Sequence, residues 1–468
     1  MIVAMKTTRR HRQIVSAVQR QVRAYYRTGQ QARIYHGHTN STRQALQGLP
    51  AVDISRLNRI IELNQAKRYV IVEPNVPLDK LLTATLKVEL MPPEVSEFKG
   101  ITVGGAILGG AGESSSFKYG CFHEDCLEYE IVLGNGQKLT LSAEQNADLF
   151  RGVASSCGSL GVITLVKLRL VPTTKFIRLE YHRVNSFEAA HKLIMTKTKE
   201  KIDFIDGILF SKTSGLVLVG YYDETPQRPQ AKFLGFKDEW FYLHAQKIAN
   251  NHAFYEESIP IRDYLFRYDR GAFWVGRFGC DYLHLPFKRW VRVVFAPLCT
   301  TRRLYRFLHG AGLSQRYFVQ DICMPEQNIE QFLQFIDKTL KVYPLWLCPL
   351  KAESKYPLSP NNLKTKLVIN VGVWNKLDVP YNEYLRLNRQ LESQVLDLGG
   401  RKVLYAHYYY PEKDFWEIYS RSSYEKLRTK YHANTTFPDV YRKTFVDRVY
   451  PEPVIAKGWL ALIRRPFH

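Results

Sequence analysis

The chain has 468 residues, 45% of them hydrophobic and 24% charged, which excludes a disordered chain and favours two domains or one large domain with an insertion. Its 66 Lys and Arg against 44 Asp and Glu give a net charge of +22, a balance that attracts phosphates, nucleic acid or anionic membrane. No zinc-finger spacing or RNA-recognition signature accompanies that charge, and no run of about 18 apolar residues marks a membrane-spanning helix.

Taken in order, residues 13–27 carry Ile14, Val15, Val18, Val22, Tyr25 and Tyr26 at helical spacing, with a basic opposite face. The start before them is basic (Lys6, Arg9, Arg10, Arg12) and has no apolar leader core. A short strand at 33–35 then runs into HGHTNST (residues 36–42), a loop whose backbone N–H groups suit a pyrophosphate. Residues 52–54 and 69–73 read as strands, 77–86 as a short helix, and 90–97 (LMPPEVSE) as an irregular segment pinned by Pro92 and Pro93. GITVGGAILGGAGESSSFKYG (residues 100–120) holds seven of the chain's 28 glycines. That density points to a loop that turns with positive φ or approaches a ligand too closely for a Cβ.

A hairpin follows at 127–141 around Gly134-Asn135-Gly136, and a helix capped by Asn146 starts at 146–150. SSCGSLG (residues 155–161) is a second glycine- and serine-rich loop that feeds a strand at 162–171. Beyond it, a helix at 186–198, paired strands at 207–212 and 215–221, and an amphipathic helix at 326–340 are expected. Buried strands at 342–350 and 367–374 precede a long helix at 381–398 closed by Gly399-Gly400. Residues 402–410 read as a strand and 414–431 as mostly helix. The tail at 454–468 suits a segment packed on the protein body or an interfacial membrane anchor. Seven scattered cysteines with no Cys-x-x-Cys pair suit free thiols in a reducing compartment. No metal site is expected.

The ordered motifs HGHTNST, ITVGG…GESSSFKYG, LGNGQ, NADLF and SCGSLGVIT resemble the FAD-binding domain of the vanillyl-alcohol-oxidase (PCMH-type) flavoproteins. Within that superfamily the chain is similar to the delta-24 sterol reductases of the seladin-1/diminuto type. FW at 273–274, VQD at 319–321, VYPLWLCP at 342–349, YA at 405–406, FWE at 415–417 and FPDVY at 437–441 extend the likeness to roughly residues 30–445. Two features depart from it: animal and plant members carry an N-terminal membrane helix, and the wording YHGHTNST is unusual among them.

The resemblance implies an α+β fold: a PCMH-type domain of two α+β subdomains at 1–175, an α+β substrate or cap domain at 176–400, and a C-terminal segment at 401–468 packing back on the flavin domain. It implies FAD as cofactor, bound non-covalently, with a covalent bond through His38 as the alternative. His36, Gly37, His38, Thr39, Asn40, Ser41 and Thr42 would cradle the pyrophosphate. Thr102, Val103, Gly104, Gly105, Gly109, Gly112, Ser114, Ser115 and Ser116 would line the cofactor path. Ser155, Gly158, Gly161, Val162 and Ile163 would hold the ribityl and adenine side.

The implied reaction is reduction of a sterol side-chain double bond at carbon 24, with NADPH as transient reductant. The alternative is an FAD oxidase or dehydrogenase of an alcohol or hydroxy acid. An unactivated alkene requires a general acid in a dry pocket. Glu113, Lys118, His407 and Tyr409 are the candidates carried forward, with Glu94, Asp321 and Tyr408 beside them. Trp274, Tyr343, Trp346 and Trp416 are aromatic candidates for a sterol slot. The expected location is cytoplasmic, with peripheral membrane contact through the basic surface or the tail, and no nucleic-acid partner.

Overall fold

Runs of alternating apolar residues build two antiparallel sheets, and the segments between them supply the covering helices. The computed structural model of the protein describes residues 5, 7–37, 43, 46, 48–226, 228–377, 379–446 and 448–463. The first sheet contains β1 (Ile60–Asn64), β2 (Tyr69–Val72), β3 (Cys126–Val132), β4 (Lys138–Ser142) and β5 (Val162–Arg169), in the order β1-β2-β5-β3-β4. β3 and β4 are the hairpin expected at Asn135-Gly136, where Gly136 has φ +81°. A separate parallel pair, Arg33–Tyr35 with Ala51–Asp53, leads the chain into this unit.

Helix α1 (Arg9–Thr28) starts earlier than its apolar period suggests, because Thr8 Oγ1 accepts from the His11 N–H and caps it. Its buried Ile14, Val15, Val18 and Val22 join Val70, Val72 and Tyr129 of the sheet in one core. The glycine-rich stretch is a helix, α2 (Val103–Gly109), where the sequence suggests a loop. Thr102 Oγ1 caps it by accepting from the Gly105 N–H at 3.2 Å. Asn146 does not cap the helix Ala147–Val153: it sits at φ +53°, and its side chain donates to the Thr140 carbonyl instead.

The second sheet has eight strands: β6 (Phe176–Val184), β7 (Phe204–Ser211), β8 (Ser214–Asp223), β9 (Phe254–Pro260), β10 (Tyr317–Pro325), β11 (Leu345–Lys351), β12 (Leu367–Lys376) and β13 (Arg401–Lys402). Their order is β9-β6-β8-β7-β11-β12-β10-β13, antiparallel throughout. Alternation splits the strands between two cores. Ile205, Leu347, Val371, Val373 and Ile322 face a core shared with the helix Tyr381–Asp397. Asp206, Trp346, Asn370, Trp374, Asp321 and Cys323 fall on the opposite face.

The expected strand at 402–410 stops at Lys402. Beyond it Arg43 Nη1 donates to the carbonyls of Leu404 and Ala406, so a side chain satisfies groups that a ladder would otherwise use. Later C-terminal residues pack on the first unit. Arg428 donates to the Ser159 carbonyl at 2.8 Å, Tyr424 OH to Ser159 Oγ at 2.7 Å, and Tyr431 OH to Asp148. Helix α3 (Thr301–Ala311) carries helix α4 (Ile455–Ile463) against it, with Phe307 edge-on to Trp459. All seven cysteines are free thiols. Among the described residues no helix is long and apolar enough to cross a membrane.

Candidate functional site

A single large cavity of about 800 Å³ lies where α2, the eight-stranded sheet and α3 meet. Its size suits an organic cofactor with room for a second ligand. The α2 side is built from backbone. Gly104 must be glycine, because a Cβ there would sit 2.8 Å from Pro74 Cβ and lift the helix off the turn below. A Cβ on Gly109 would instead project into open space, since nothing lies within 4 Å of it.

Among the described residues the lining carries five basic side chains (Arg33, Arg43, Arg302, Arg306, Lys443) and two carboxyl groups, Glu97 and Asp321. Burial, followed by the nearby Lys443 and Arg33, pushes His36 down to about 4, so its imidazole is neutral. Burial pushes Lys443 down to about 8; its Nζ reaches the Gly158 carbonyl at 3.4 Å. A wall that crowds cations against each other and against glycine backbone fits a bound diphosphate.

Aromatic side chains line the cavity too: Phe98, Tyr305, Trp346, Trp374 and Tyr405. Phe98 lies 5.6 Å from Trp374, and Phe273 lies 5.0 Å from Trp374 and 5.3 Å from Trp346, ring centre to ring centre. Among these rings the cap sheet presents Asp321. Tyr405 OH donates to its Oδ2 at 2.5 Å, Trp374 Nε1 to the same oxygen at 3.3 Å, and Asn370 Nδ2 to Oδ1 at 3.0 Å. Strand register makes this possible. Val319 pairs with Trp374 and Cys323 with Asn370, while Gly372, opposite Asp321, leaves room for the carboxylate. A Cβ on Gly372 would meet Asp321 Oδ1 and Trp346 Cβ, each at 3.1 Å. Glu97 enters from the segment before α2 and is buried in the same cavity.

Of the residues singled out in the sequence, His36, Gly37, Thr102, Gly104, Gly105, Gly109, Gly112, Gly158, Val162 and Ile163 line the cavity. Val103 faces the core behind it. Ser114, Ser115 and Ser116 are buried away from it, bonded to Glu113 and Tyr264, to the Pro93 carbonyl, and to the Glu113 N–H respectively. Ser155 adopts φ +58° and is buried, and Gly161 packs on Ile131. His38, Thr39, Asn40, Ser41 and Thr42 lie outside the described residues.

None of the four catalytic candidates carried forward lines the cavity. Glu113 sits in a buried network, its Oε1 3.0 Å from Arg267 Nη2, which also reaches Asp206 at 3.0 Å. Lys118 is 43% exposed and pairs with Asp203 at 3.4 Å on the surface. His407 is fully buried, and burial drives its imidazole well below the usual value. Its carbonyl accepts from Lys402 Nζ at 2.7 Å and from Gln320 Nε2 at 3.3 Å. Tyr409 belongs to the core behind the cap sheet. His407 and Tyr409 share a side, their rings stacked at 6.1 Å, with Tyr408 in the other core, but neither lines the cavity; Tyr405 does so instead. Of the four aromatic candidates only Trp346 lines the cavity; Trp274 and Tyr343 border a smaller one of about 270 Å³, and Trp416 packs on Phe415 and Tyr424. Sequence reasoning missed Glu97, Arg43, Lys443 and Trp374 as site residues, and Tyr405 entered only as half of a YA motif.

Fold and site together define an FAD-dependent flavoprotein oxidoreductase, and residues 13–142 match the FAD binding domain family. The chain is 30% identical over 447 residues to the Delta(24)-sterol reductase of Homo sapiens, covering 93% of this chain and 86% of that one. It is 29% identical over 435 residues to that of Arabidopsis thaliana, covering 84% and 76%. A shorter match, 28% over 178 residues and 37% of this chain, is to cytokinin dehydrogenase 3 of Arabidopsis thaliana. The chain belongs to the Delta(24)-sterol reductase family.

Proposed function

We propose that the protein reduces a sterol side-chain double bond at carbon 24, with electrons from NADPH entering through FAD. The observation that carries this reading is the cavity's mixed lining. One continuous space combines cations and glycine backbone with aromatic rings set around Asp321, which accepts from Tyr405 and Trp374. Bound flavin supplies hydride chemistry. The protein's part is positioning. Arg43, Lys443 and the backbone of Gly104, Gly105 and Gly158 would hold the diphosphate. Phe98, Trp346 and Trp374 would exclude water around the alkene. The same reading divides the chain near 175 and 400 and places the protein in a reducing, cytoplasmic setting, with its +22 charge favouring peripheral membrane contact.

Anaerobic mixing tests the reaction. NADPH should bleach the flavin absorbance of purified holoenzyme, and a sterol with a carbon-24 double bond should restore it. Bleaching by an alcohol with rapid reoxidation by oxygen would establish the oxidase alternative instead. Vesicle cosedimentation tests the membrane part: binding to anionic but not neutral vesicles is expected, and equal binding to neither removes it.

A further inference from the structure

The cavity holds two carboxyl groups in opposite surroundings. Asp321 accepts three hydrogen bonds, from Tyr405, Trp374 and Asn370, and such a donor shell belongs to a carboxylate. Glu97, 8% exposed, has no side-chain donor or cation bonded to it among the described residues; only its own backbone N–H reaches it. Its charged neighbours are Glu94, Glu113, Asp321 and the Arg267 that Glu113 and Asp206 already engage. Burial first, then the negative charges of Glu113 and Asp321, hold Glu97 well above the usual carboxylate range. Burial raises the Asp321 carboxyl too, but the bonds from Tyr405, Asn370 and Trp374 oppose that rise, and no such donors oppose it at Glu97. Two acids in one pocket, one held by donors and one without them, divide into a proton donor and a charge stabiliser.

We propose that Glu97 is the acid that protonates the alkene, and that Asp321 remains ionised to stabilise the positive charge that develops on the neighbouring carbon. The inference rests on the alkene-reductase reading. The alkene π pair takes the Glu97 proton; the O–H bond breaks and a C–H bond forms. The electron-poor carbon accepts hydride from the reduced flavin cofactor, so the alkene gains two electrons and two protons in all, one proton from Glu97 and the other carried with the electron pair in the hydride. Glu97 is left as a carboxylate and regains its proton from solvent. The faces of Trp374, Trp346 and Tyr405 add to Asp321 in steadying the cation.

The test uses FAD-loaded wild type, Glu97→Gln, Glu97→Asp and Asp321→Asn, each checked for bound FAD. Glu97→Gln should retain flavin bleaching by NADPH and slow reoxidation by the sterol alkene by about 10²–10⁴-fold, the contribution of a positioned acid. Glu97→Asp should recover part of that loss, and the wild-type oxidative step should show a solvent deuterium isotope effect absent from the reductive step. Asp321→Asn should slow the oxidative step without removing the isotope effect. Infrared difference spectra at neutral pH give a readout independent of turnover: Glu97→Gln should delete a protonated-carboxyl band that Asp321→Asn keeps. Reoxidation of Glu97→Gln at the wild-type rate, or a Glu97 that contributes only carboxylate bands, overturns the assignment. If reduced wild type is not reoxidised by the alkene at all, the functional reading fails, and the infrared bands alone decide whether Glu97 is an acid.

Discussion

Glu113 and Glu97 lie at the two ends of one short segment, and their surroundings give them different work. Glu113 is locked to Arg267 together with Asp206, which in turn accepts from Tyr268 OH at 2.6 Å and Trp346 Nε1 at 3.0 Å. The network therefore fixes Trp346, a cavity wall, and acts on Glu97 through the charges of Glu113 and Arg267, without touching the reacting atoms itself. Arg267→Met leaves two buried carboxyl groups without their cation and should cost about 3–5 kcal/mol in denaturant unfolding. Glu113→Gln, which leaves Arg267 paired with Asp206, should cost less and keep the oxidative half-reaction within a few-fold of wild type. A loss in that step as large as the one expected for Glu97→Gln would return Glu113 to the catalytic role its motif suggests.

The two glutamates were unequally legible. ESSSFKYG advertises Glu113 with small polar neighbours, whereas Glu97 ends LMPPEVSE, which reads as a solvated irregular loop. Nothing in sequence shows that this loop is buried in one cavity with side chains of β10 and β12, more than 200 positions away. Asp321 was more readable: it is one of two side-chain polar groups in YFVQDICMP, an otherwise apolar run, and a buried polar residue there requires partners.

At the scale of elements, α1 shows how much a period can reveal. Its apolar stripe announces the helix, but its anchor is His11, hidden in the basic TTRRHRQ start. His11 Nδ1 lies 2.9 Å from Glu73 Oε1 and Nε2 lies 3.1 Å from Glu130 Oε1, so the ring bridges β3 and the turn after β2. Burial alone would lower its pKa; the hydrogen bonds that the ring donates to Glu130 and Glu73, and the charges of both, outweigh it and raise the value above 6.5. A group whose folded pKa is raised adds stability that is complete below the unfolded value and is lost as pH rises through the folded one. Amide protection factors over Ile14–Val22 should therefore fall between neutral and mildly alkaline pH, more than those of the cap sheet. His11→Phe should remove that pH dependence; a profile identical to wild type would show that α1 is held by its apolar face alone. The strand expected at 402–410 marks the opposite limit, because its fate depends on Arg43, some 360 residues away in sequence.

The molecule as a whole closes its cavity with the part of the chain that sequence patterning describes least. Helices α3 and α4 lie over the site, contributing Arg302, Tyr305, Arg306, His309, Gly310 and Ala461 to its lining. They approach closely because both carry glycine at the crossing: a Cβ on Gly310 would fall 2.5 Å from Ala461 Cβ, and one on Gly458 would fall 2.9 Å from Ala311 Cβ. Residues 455–463 thus pack on α3, while Val454 and Leu460 stay exposed, so packing accounts for part of the apolar composition that also suits an interfacial anchor. Gly458→Leu cannot be accommodated without separating the helices, which opens one wall of the cavity while leaving α2 and the cationic wall intact. FAD should still bind, but its release, followed by the rise in free-flavin fluorescence, should quicken by roughly tenfold, equivalent to about 1.4 kcal/mol. The thermal upshift that excess FAD gives the apoprotein should shrink in proportion, since stabilisation by a ligand follows its occupancy. If Gly458→Leu releases FAD at the wild-type rate while circular dichroism shows the fold intact, α4 is a cover for α3 only, and retention of the cofactor rests on the glycine and cation wall beneath it.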